Sequence, residues 1–286
     1  MTATAGRPPV AGGLFDGPDQ APRTEGFLAR VSRAYEHQFL LYRRTWRGSL
    51  FNSFLSPALF LLAMGVGLGT YVNQGGGAAA LGGVPYLVFL APGLLASTVM
   101  QTASFEATFP IMGGFVWQRR YHAMHSTPIG PAEIALGQLA WIATRITLVG
   151  SIYVLVMVAF GAVRSPLILF AIPVATLTGL AFATPIAAYA ATQKVMTSFN
   201  YIFRFAITPL FLFSGAFFPV ESLPSFIQPI AWVTPLYHGV ALSRAIALGT
   251  IGADPGLALI HLGVLLAFAT AGLVACLVAF RRRLEK

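Results

Sequence analysis

Long blocks of apolar residues, each close to the length of a membrane-spanning helix, dominate the sequence. A bilayer requires about 20 consecutive, mostly apolar residues per helix. Only 9% of the 286 residues are charged, against roughly 25% in soluble domains, so lipid must solvate much of the surface. The pattern predicts an all-α membrane protein with six transmembrane helices, at about 49–72, 86–109, 133–160, 167–191, 199–219 and 257–280.

The segments outside these blocks differ in character. Residues 1–24, rich in Gly, Pro and Ala, are predicted to form a disordered cytoplasmic tail. Residues 25–47 carry apolar side chains at helical spacing with arginines between them, which predicts an amphipathic interfacial helix. The transmembrane domain then covers 48–286, with a polar loop at about 111–131. Residues 220–250 are too rich in proline to span and too apolar for a plain loop, so we expect two short outer re-entrant helices there.

The basic residues are distributed very unevenly between the two sides of this predicted topology. With the N-terminus inside, 14 of the 18 lysines and arginines fall on the cytoplasmic side, and only Arg164 and Arg244 fall in outer segments. The cytoplasmic set is Arg7, Arg23, Arg30, Arg33, Arg43, Arg44, Arg47, Arg119, Arg120, Lys194, Arg281, Arg282, Arg283 and Lys286. By the positive-inside rule both termini are cytoplasmic, and the net charge of +9 reflects membrane topology instead of nucleic-acid binding.

Several kinds of chemistry are excluded by the residues present. A P-loop needs a lysine followed by Ser or Thr, but Lys194 precedes Val195 and Lys286 is the last residue. His122 and His125 lie three apart, yet no third metal ligand is near them in sequence. Nine acidic residues leave no catalytic cluster. We expect no cofactor, no metal site and no catalytic site on this chain.

Six segments resemble ABC-2 type transporter permeases, and within that family the NodJ-like permeases of lipo-oligosaccharide (nodulation factor) exporters. They are MGVGLG at 64–69, FLAPGLLA at 89–96, SFEATFP at 104–110, LTGLAFA at 177–183, ITPLFLFSGAFFPVESLP at 207–224 and PLYHGVALSRAIALG at 235–249. The resemblance runs from about residue 55 to 283. It implies a permease that works as a dimer with two copies of a separate P-loop ATPase, which binds the ATP and Mg²⁺. It also implies a translocation path at the dimer interface, near the first and fifth spans.

The same resemblance implies a coupling helix in the loop after the second span, at about 113–130. A charged helix between two spans is well placed to dock on the ATPase. The residues expected to do so are Trp117, Arg119, Arg120, Tyr121, His122 and His125. The alternative is simple anchoring of the loop by its positive charge.

Three charged side chains are predicted to lie within spans. A charge in lipid is costly and needs a partner or water, so Glu106 and Arg145, both in the inner half, are expected to pair. The alternative for Glu106 is a residue that reaches the inner interface. Arg204 begins the fifth span and either reaches the inner headgroups or contacts a substrate phosphate.

The fifth predicted span is dense in aromatic residues. An aromatic wall suits acyl chains and sugar rings, so Phe203, Phe211, Phe213, Phe217 and Phe218 are candidate substrate-lining residues. Ordinary lipid-facing or core packing is the alternative for each of them.

Together these features predict a multi-pass permease of the bacterial cytoplasmic (inner) membrane. It would move an amphiphilic substrate, such as a lipid-linked saccharide or glycolipid, from the inner leaflet outward. The expected partners are the ATPase, a second permease copy (identical or a paralogue) and membrane lipids. The alternatives are a multidrug or antibiotic exporter of the same fold and, less favoured, a membrane-embedded lipid-modifying enzyme.

Overall fold

A computed structural model describes residues 26–76 and 81–286, and in these stretches every regular element is helical. The helices are α1 (Phe27–Tyr42), α2 (Trp46–Gln74), α3 (Tyr86–Val116), α4 (Arg120–His125), α5 (Pro131–Ala159), α6 (Pro166–Thr192), α7 (residues 197–213), α8 (Gln228–Val233), α9 (Pro235–Leu248) and α10 (Pro255–Leu284). The all-α class is therefore confirmed for the described residues. The predicted tail, 1–24, lies outside them.

Five described helices, α2, α3, α5, α6 and α10, are long and apolar enough to cross a bilayer. They coincide with five of the six predicted spans. The fifth predicted span, 199–219, is not confirmed as a spanning helix, because α7 is helical only over 197–213 and its middle turn, Phe203–Ile207, is π-helical. At ~1.5 Å per residue α7 reaches about 25 Å, short of a hydrocarbon core of ~30 Å.

The helix α3 is longer than predicted. The sequence placed its end at 109 and the polar loop at 111–131, but α3 continues through Pro110 to Val116. Ending the helix at Pro110 would free several more backbone groups in apolar surroundings, each costing several kcal/mol, whereas proline removes only one N–H. The carbonyl of Pro110 also accepts a hydrogen bond of 3.0 Å from Arg120 Nη2.

The amphipathic segment forms α1, which lies along α5. Arg30 Nη2 is 2.9 Å from Glu133 Oε1, and the Tyr35 ring packs edge-on against Trp141 with centroids 6.1 Å apart. Leu28 and other apolar residues of α1 remain exposed. The predicted helix is confirmed, and its position at the membrane interface stays a prediction.

The centre of the bundle is formed by α3 and α6, which pack against each other and against α5, α9 and α10. α10 meets α6 most closely at Gly272, whose missing side chain leaves room for Thr184 and Pro185. Thr184 Oγ1 donates to the carbonyl of Ala269 at 3.1 Å. This contact fixes α10 against the centre, while much of the remaining α10 surface is exposed.

Residues 220–250 contain two short helices, α8 and α9, as the sequence predicted. α9 is inserted against α3 and α6 and buries Leu236, Val240 and Ala247. α8 exposes Ile230 and Val233. That α8 and α9 re-enter the bilayer stays a prediction. Because α9 contacts the start of α3, this segment closes the end of the bundle opposite α4.

Candidate functional site

The helix α7 contacts the bundle mainly through aromatic rings. Phe199 and Phe203 pack on Phe109 with ring centroids 5.5 and 6.0 Å away, and close backbone contacts to other helices are few. Two cavities of about 270 Å³ each lie beside α7: one is lined also by α2, α3 and α5, and the other by α3. Because both are lined by Gln101 and Phe211, we treat them as one feature, the central groove.

The central groove has a polar side and an aromatic side. Its polar lining is Ser53, Ser56, Thr98, Gln101, Thr102, Tyr153 and Thr208, and its aromatic lining is Phe60, Phe105, Phe203 and Phe211. Residues spaced three or four apart share one face of a helix, so α2 and α3 each turn one polar stripe toward the groove. Such a lining suits a molecule with a polar and an apolar part.

The hydroxyl groups of the groove differ in their hydrogen bonding. Ser53 Oγ and Thr102 Oγ1 donate to carbonyls one turn back on their own helices, at 2.8 and 2.9 Å, which leaves their lone pairs free to accept. The hydroxyl of Tyr153 is buried and has no hydrogen-bond partner within the described part of the chain. Burying an unpaired hydroxyl costs roughly 1–3 kcal/mol, and a polar ligand in the groove would remove that cost.

An ion pair joins α3 and α5 one turn beyond Thr102, toward the end of α3 that leads to α4. Arg145 Nε lies 3.4 Å from Glu106 Oε1, with side chains 12% and 17% exposed, so the predicted pairing is confirmed. Arg145 also donates to the hydroxyls of Tyr42 at 3.0 Å and Ser49 at 2.8 Å. Glu106 follows Thr102 by one turn on α3, which places the pair directly beyond the polar stripe.

The five phenylalanines predicted to line the substrate path occupy different positions, and their contact with substrate stays a prediction. Phe203 and Phe211 line the groove, and Phe217 packs behind them with its ring 5.0 Å from Phe211. Phe213 is exposed, and neither it nor Phe218 lines the groove. A π-helical turn has more residues per turn than an α-helix, so the turn at Phe203–Ile207 changes which later residues face the groove.

Arg204 lies on this same π-helical turn. Its side chain is exposed and lines neither cavity. The structure therefore does not place it with the other two intramembrane charges. Its contact with headgroups stays a prediction.

The loop after α3 carries α4, but two of its residues are less exposed than expected. Tyr121 is 1% exposed, because Gly114 of α3 leaves room for its ring. Its hydroxyl donates to Gln138 Oε1 at 3.0 Å and accepts from Arg120 Nη2 at 3.0 Å. Burial raises the pKa of Tyr121, and the charge of Arg120 opposes that rise. Tyr121 therefore packs α4 against α3 and α5 and is not on the surface.

Arg120 joins three elements near this end of the bundle. Its Nη1 donates to Gln38 Oε1 of α1 at 3.2 Å, and Gln38 Nε2 in turn donates to Gln138 of α5. We call Gln38, Arg120, Tyr121 and Gln138 the inner network. These hydrogen bonds connect α4 to both α1 and α5.

The exposed part of the loop is smaller than the predicted docking set. Trp117 is 58% exposed, and Arg119 and His122 are exposed beside it. His125 is partly buried. Its Nδ1 atom is inaccessible to solvent and has no hydrogen-bond partner in the described structure. Arg119, the residue before α4, has φ of 49°, a left-handed conformation uncommon outside glycine.

The polar lining of the groove was not predicted from the sequence. A signal existed, because Ser49, Ser53 and Ser56 form a polar stripe at helical spacing in an otherwise apolar block, and Thr98, Gln101 and Thr102 form another. A polar stripe within a transmembrane helix indicates a face turned toward protein or a cavity.

The fold and this polar groove are those of a membrane-embedded transporter permease. The family model for the ABC-2 type transporter matches residues 31–248, and the chain belongs to that family.

Particular relatives cover most of the chain. It is 32% identical over 252 residues to nodulation protein J of Rhizobium leguminosarum bv. viciae. This alignment covers 88% of this chain and 94% of the relative. It is 31% identical over 250 residues to nodulation protein J of Rhizobium meliloti (strain 1021), covering 87% and 92%. The inner membrane transport permease YadH of Escherichia coli (strain K12) is 21% identical over 240 residues, covering 84% and 89%.

Proposed function

We propose that the chain is the permease subunit of an ATP-driven exporter that moves an amphiphilic substrate, such as a lipid-linked saccharide or glycolipid, from the inner leaflet outward. The central groove carries this proposal. Its hydroxyl and amide groups suit a saccharide head, and its aromatic side at Phe203 and Phe211 suits sugar faces or acyl chains. The resemblance to permeases of lipo-oligosaccharide exporters supports the same substrate class.

In this proposal ATP is hydrolysed by a separate P-loop ATPase, which binds the ATP and Mg²⁺ and docks on α4. The exposed residues Trp117, Arg119 and His122 form the contact, and the inner network passes its movement to α1 and α5. Two copies of the permease associate as a homodimer. The exposed apolar residues Phe51 and Phe54 of α2 support a partner at that face.

We further propose six membrane crossings, with α7 completing the set, and α8 and α9 as the outer re-entrant helices. Both termini are then cytoplasmic, in the cytoplasmic (inner) membrane of a bacterium. The cluster at Arg281–Arg283 lies at the same end of the bundle as α4 and supports this orientation by the positive-inside rule.

The proposal is tested by searching the adjacent reading frames for a P-loop ATPase and reconstituting the permease with it. We expect ATP-dependent movement of a fluorescent lipid-linked oligosaccharide across vesicles and a rise in ATPase rate when that substrate is added. Stimulation by hydrophobic drugs alone would favour the alternative, a multidrug or antibiotic exporter. Chemical conversion of the lipid without ATP would favour a lipid-modifying enzyme and contradict the proposal.

The variant Tyr153→Phe separates substrate binding from stability. Because the Tyr153 hydroxyl makes no hydrogen bond within the described structure, its removal should leave the melting temperature of the empty protein unchanged or raise it slightly. Binding of the saccharide substrate should weaken about tenfold, the effect of one lost hydrogen bond of ~1.4 kcal/mol. Unchanged binding in a titration monitored by ATPase stimulation would remove Tyr153 from the substrate site.

Docking at the loop that carries α4 is tested with two exposed side chains that directly precede this helix. Trp117→Ala and Arg119→Glu should lower substrate-stimulated ATPase activity at least fivefold without changing thermal stability, because neither side chain is buried. Arg281→Glu, an exposed charge at the same end of the bundle, is the control and should retain coupling. Equal losses in all three variants would indicate a general effect of surface charge instead of docking.

A further inference from the structure

A third cavity, of about 290 Å³, lies at the end of the bundle opposite α4. It is enclosed by α9, the first turn of α3 and the segment that follows α7. Phe89, Ser214, Glu221, Tyr237 and Arg244 line it. We call it the α9 cavity. It shares no lining residue with the central groove.

Arg244 holds a positive charge in this cavity without a carboxylate partner. Its Nε donates to the carbonyl of Phe89 at 3.2 Å and its Nη2 to that of Gly215 at 2.8 Å. The guanidinium lies 3.7 Å from the centre of the Phe89 ring. Across the described ranges, no carboxylate lies within 4.0 Å of it and its Nη1 donates no hydrogen bond. Carbonyl dipoles and one ring therefore stabilise a charge that could still bind an anion.

Ser214 supplies a second, independent indication of a ligand. It is 1% exposed, and its Oγ has no hydrogen-bond partner among residues 26–76 and 81–286. An unpaired buried hydroxyl is costly, and this one lines the same cavity as Arg244. Because both side chains line this one cavity, they can supply donors to one acceptor-rich group.

Glu221 gives the cavity a separate negative charge. Its side chain is exposed and lines the cavity together with the Tyr237 ring. It attracts the charge of Arg244 but makes no contact with it within 4.0 Å, so the cavity presents a cationic and an anionic group that do not touch. A simple anion would be repelled by Glu221, and a neutral sugar would leave both charged groups without a direct partner.

We propose that the α9 cavity binds an amino-phosphate head group. The phosphate contacts Arg244 and Ser214, since guanidinium groups match phosphate oxygens in geometry and charge. The ammonium group lies at Glu221 and the face of Tyr237, where a carboxylate and an aromatic ring both attract a cation. This chemistry occurs in phosphatidylethanolamine and in free phosphoethanolamine. The site is separate from the groove and does not depend on the proposed export function.

The test uses the full chain in detergent, titrated with four probes while its thermal unfolding is followed. The probes are dihexanoyl phosphatidylethanolamine, dihexanoyl phosphatidylglycerol, dihexanoylglycerol and free phosphoethanolamine. We expect the ethanolamine lipid to bind at least tenfold more tightly than the glycerol lipid and dihexanoylglycerol not to saturate. If free phosphoethanolamine binds with the same affinity as the ethanolamine lipid, the natural ligand is a soluble compound. If it binds more weakly than the ethanolamine lipid, the natural ligand is a lipid. Equal affinity for the two phospholipids would overturn the proposal.

Two variants make the test specific to this cavity. Glu221→Gln changes an exposed side chain and should abolish the preference for ethanolamine over glycerol lipid, with folding unchanged. Ser214→Ala should weaken both phospholipids several-fold, because it removes a donor to the phosphate. Glu285→Gln is the control. It changes an exposed carboxylate directly after the C-terminal end of α10, and this variant should bind the lipids as the unmodified chain does. A preserved preference in Glu221→Gln, or unchanged binding in Ser214→Ala, would refute the assignment.

Discussion

Replacing either Glu106 or Arg145 alone should destabilise the protein far more than replacing both. Glu106→Gln leaves the arginine charge without its carboxylate, and Arg145→Met leaves the carboxylate unpaired in apolar surroundings. Removing one partner of a buried ion pair costs about 3–5 kcal/mol. We expect the lower part of that range, because the Nε–Oε1 distance is 3.4 Å and both side chains are slightly exposed.

In the double variant Glu106→Gln, Arg145→Met no unpaired charge remains. We expect it to recover at least half of the loss seen in either single variant, although the bonds from Arg145 to Tyr42 and Ser49 are also removed. Thermal unfolding in nanodiscs for all four proteins gives the interaction energy of the pair. Losses that simply add in the double variant would show that the pair contributes no mutual stabilisation.

The exposed pair Arg281–Glu285 is a matched control. Its atoms are 3.0 Å apart, closer than those of the buried pair, but the side chains are 72% and 46% exposed. Exposed ion pairs typically contribute ~0–1 kcal/mol. Single substitutions there should therefore leave the unfolding temperature nearly unchanged, which separates the effect of burial from the effect of distance.

Gly272→Ala should destabilise the contact between α6 and α10 by about 1–3 kcal/mol, the usual cost of forcing atoms into a packed interior. An added Cβ would lie against Thr184 Oγ1 and only 2.6 Å from the backbone nitrogen of Pro185. Backbone atoms cannot turn aside as a flexible side chain can, so the two helices would have to separate. Thermal unfolding and the yield of monodisperse protein both report this loss.

The same helix offers a matched control in Gly263. An added Cβ there meets no atom within 4 Å, so Gly263→Ala should be neutral or stabilising by up to ~1 kcal/mol through helix propensity. If both alanine variants lost stability equally, the effect would come from the glycine substitution itself and not from the close approach at Gly272.

Hydropathy and charge were sufficient to locate five long apolar helices and the ion pair. Five of the six predicted spans coincide with such helices because each block is long and continuous, and Glu106 and Arg145 could be matched because few charges lie within spans. The fifth predicted span, 199–219, is not confirmed, because hydropathy does not register the π-helical turn at Phe203–Ile207 or the turn that begins at Ser214.

The site was harder to predict because it depends on how the helices are rotated about their axes. Serine and threonine are common in apolar helices and often bond their own backbone, so Ser53 or Thr102 alone carries no clear signal. Tyr121 was misplaced on the surface for a similar reason. Its burial depends on Gly114 in a neighbouring helix, and the loop sequence does not encode that contact.

Two of the helices that border the central groove contain a π-helical stretch, Leu61–Leu68 in α2 and Phe203–Ile207 in α7. A π-helical turn holds one extra residue, and if that residue is absorbed into regular α-helix, everything beyond it rotates by about 100°. In α7, where Thr208 and Phe211 lie beyond the stretch, a change of one residue in register would thus exchange the side chains that face the groove without unfolding the helix. The groove would then alternate between two surfaces at the cost of rearranging a single turn.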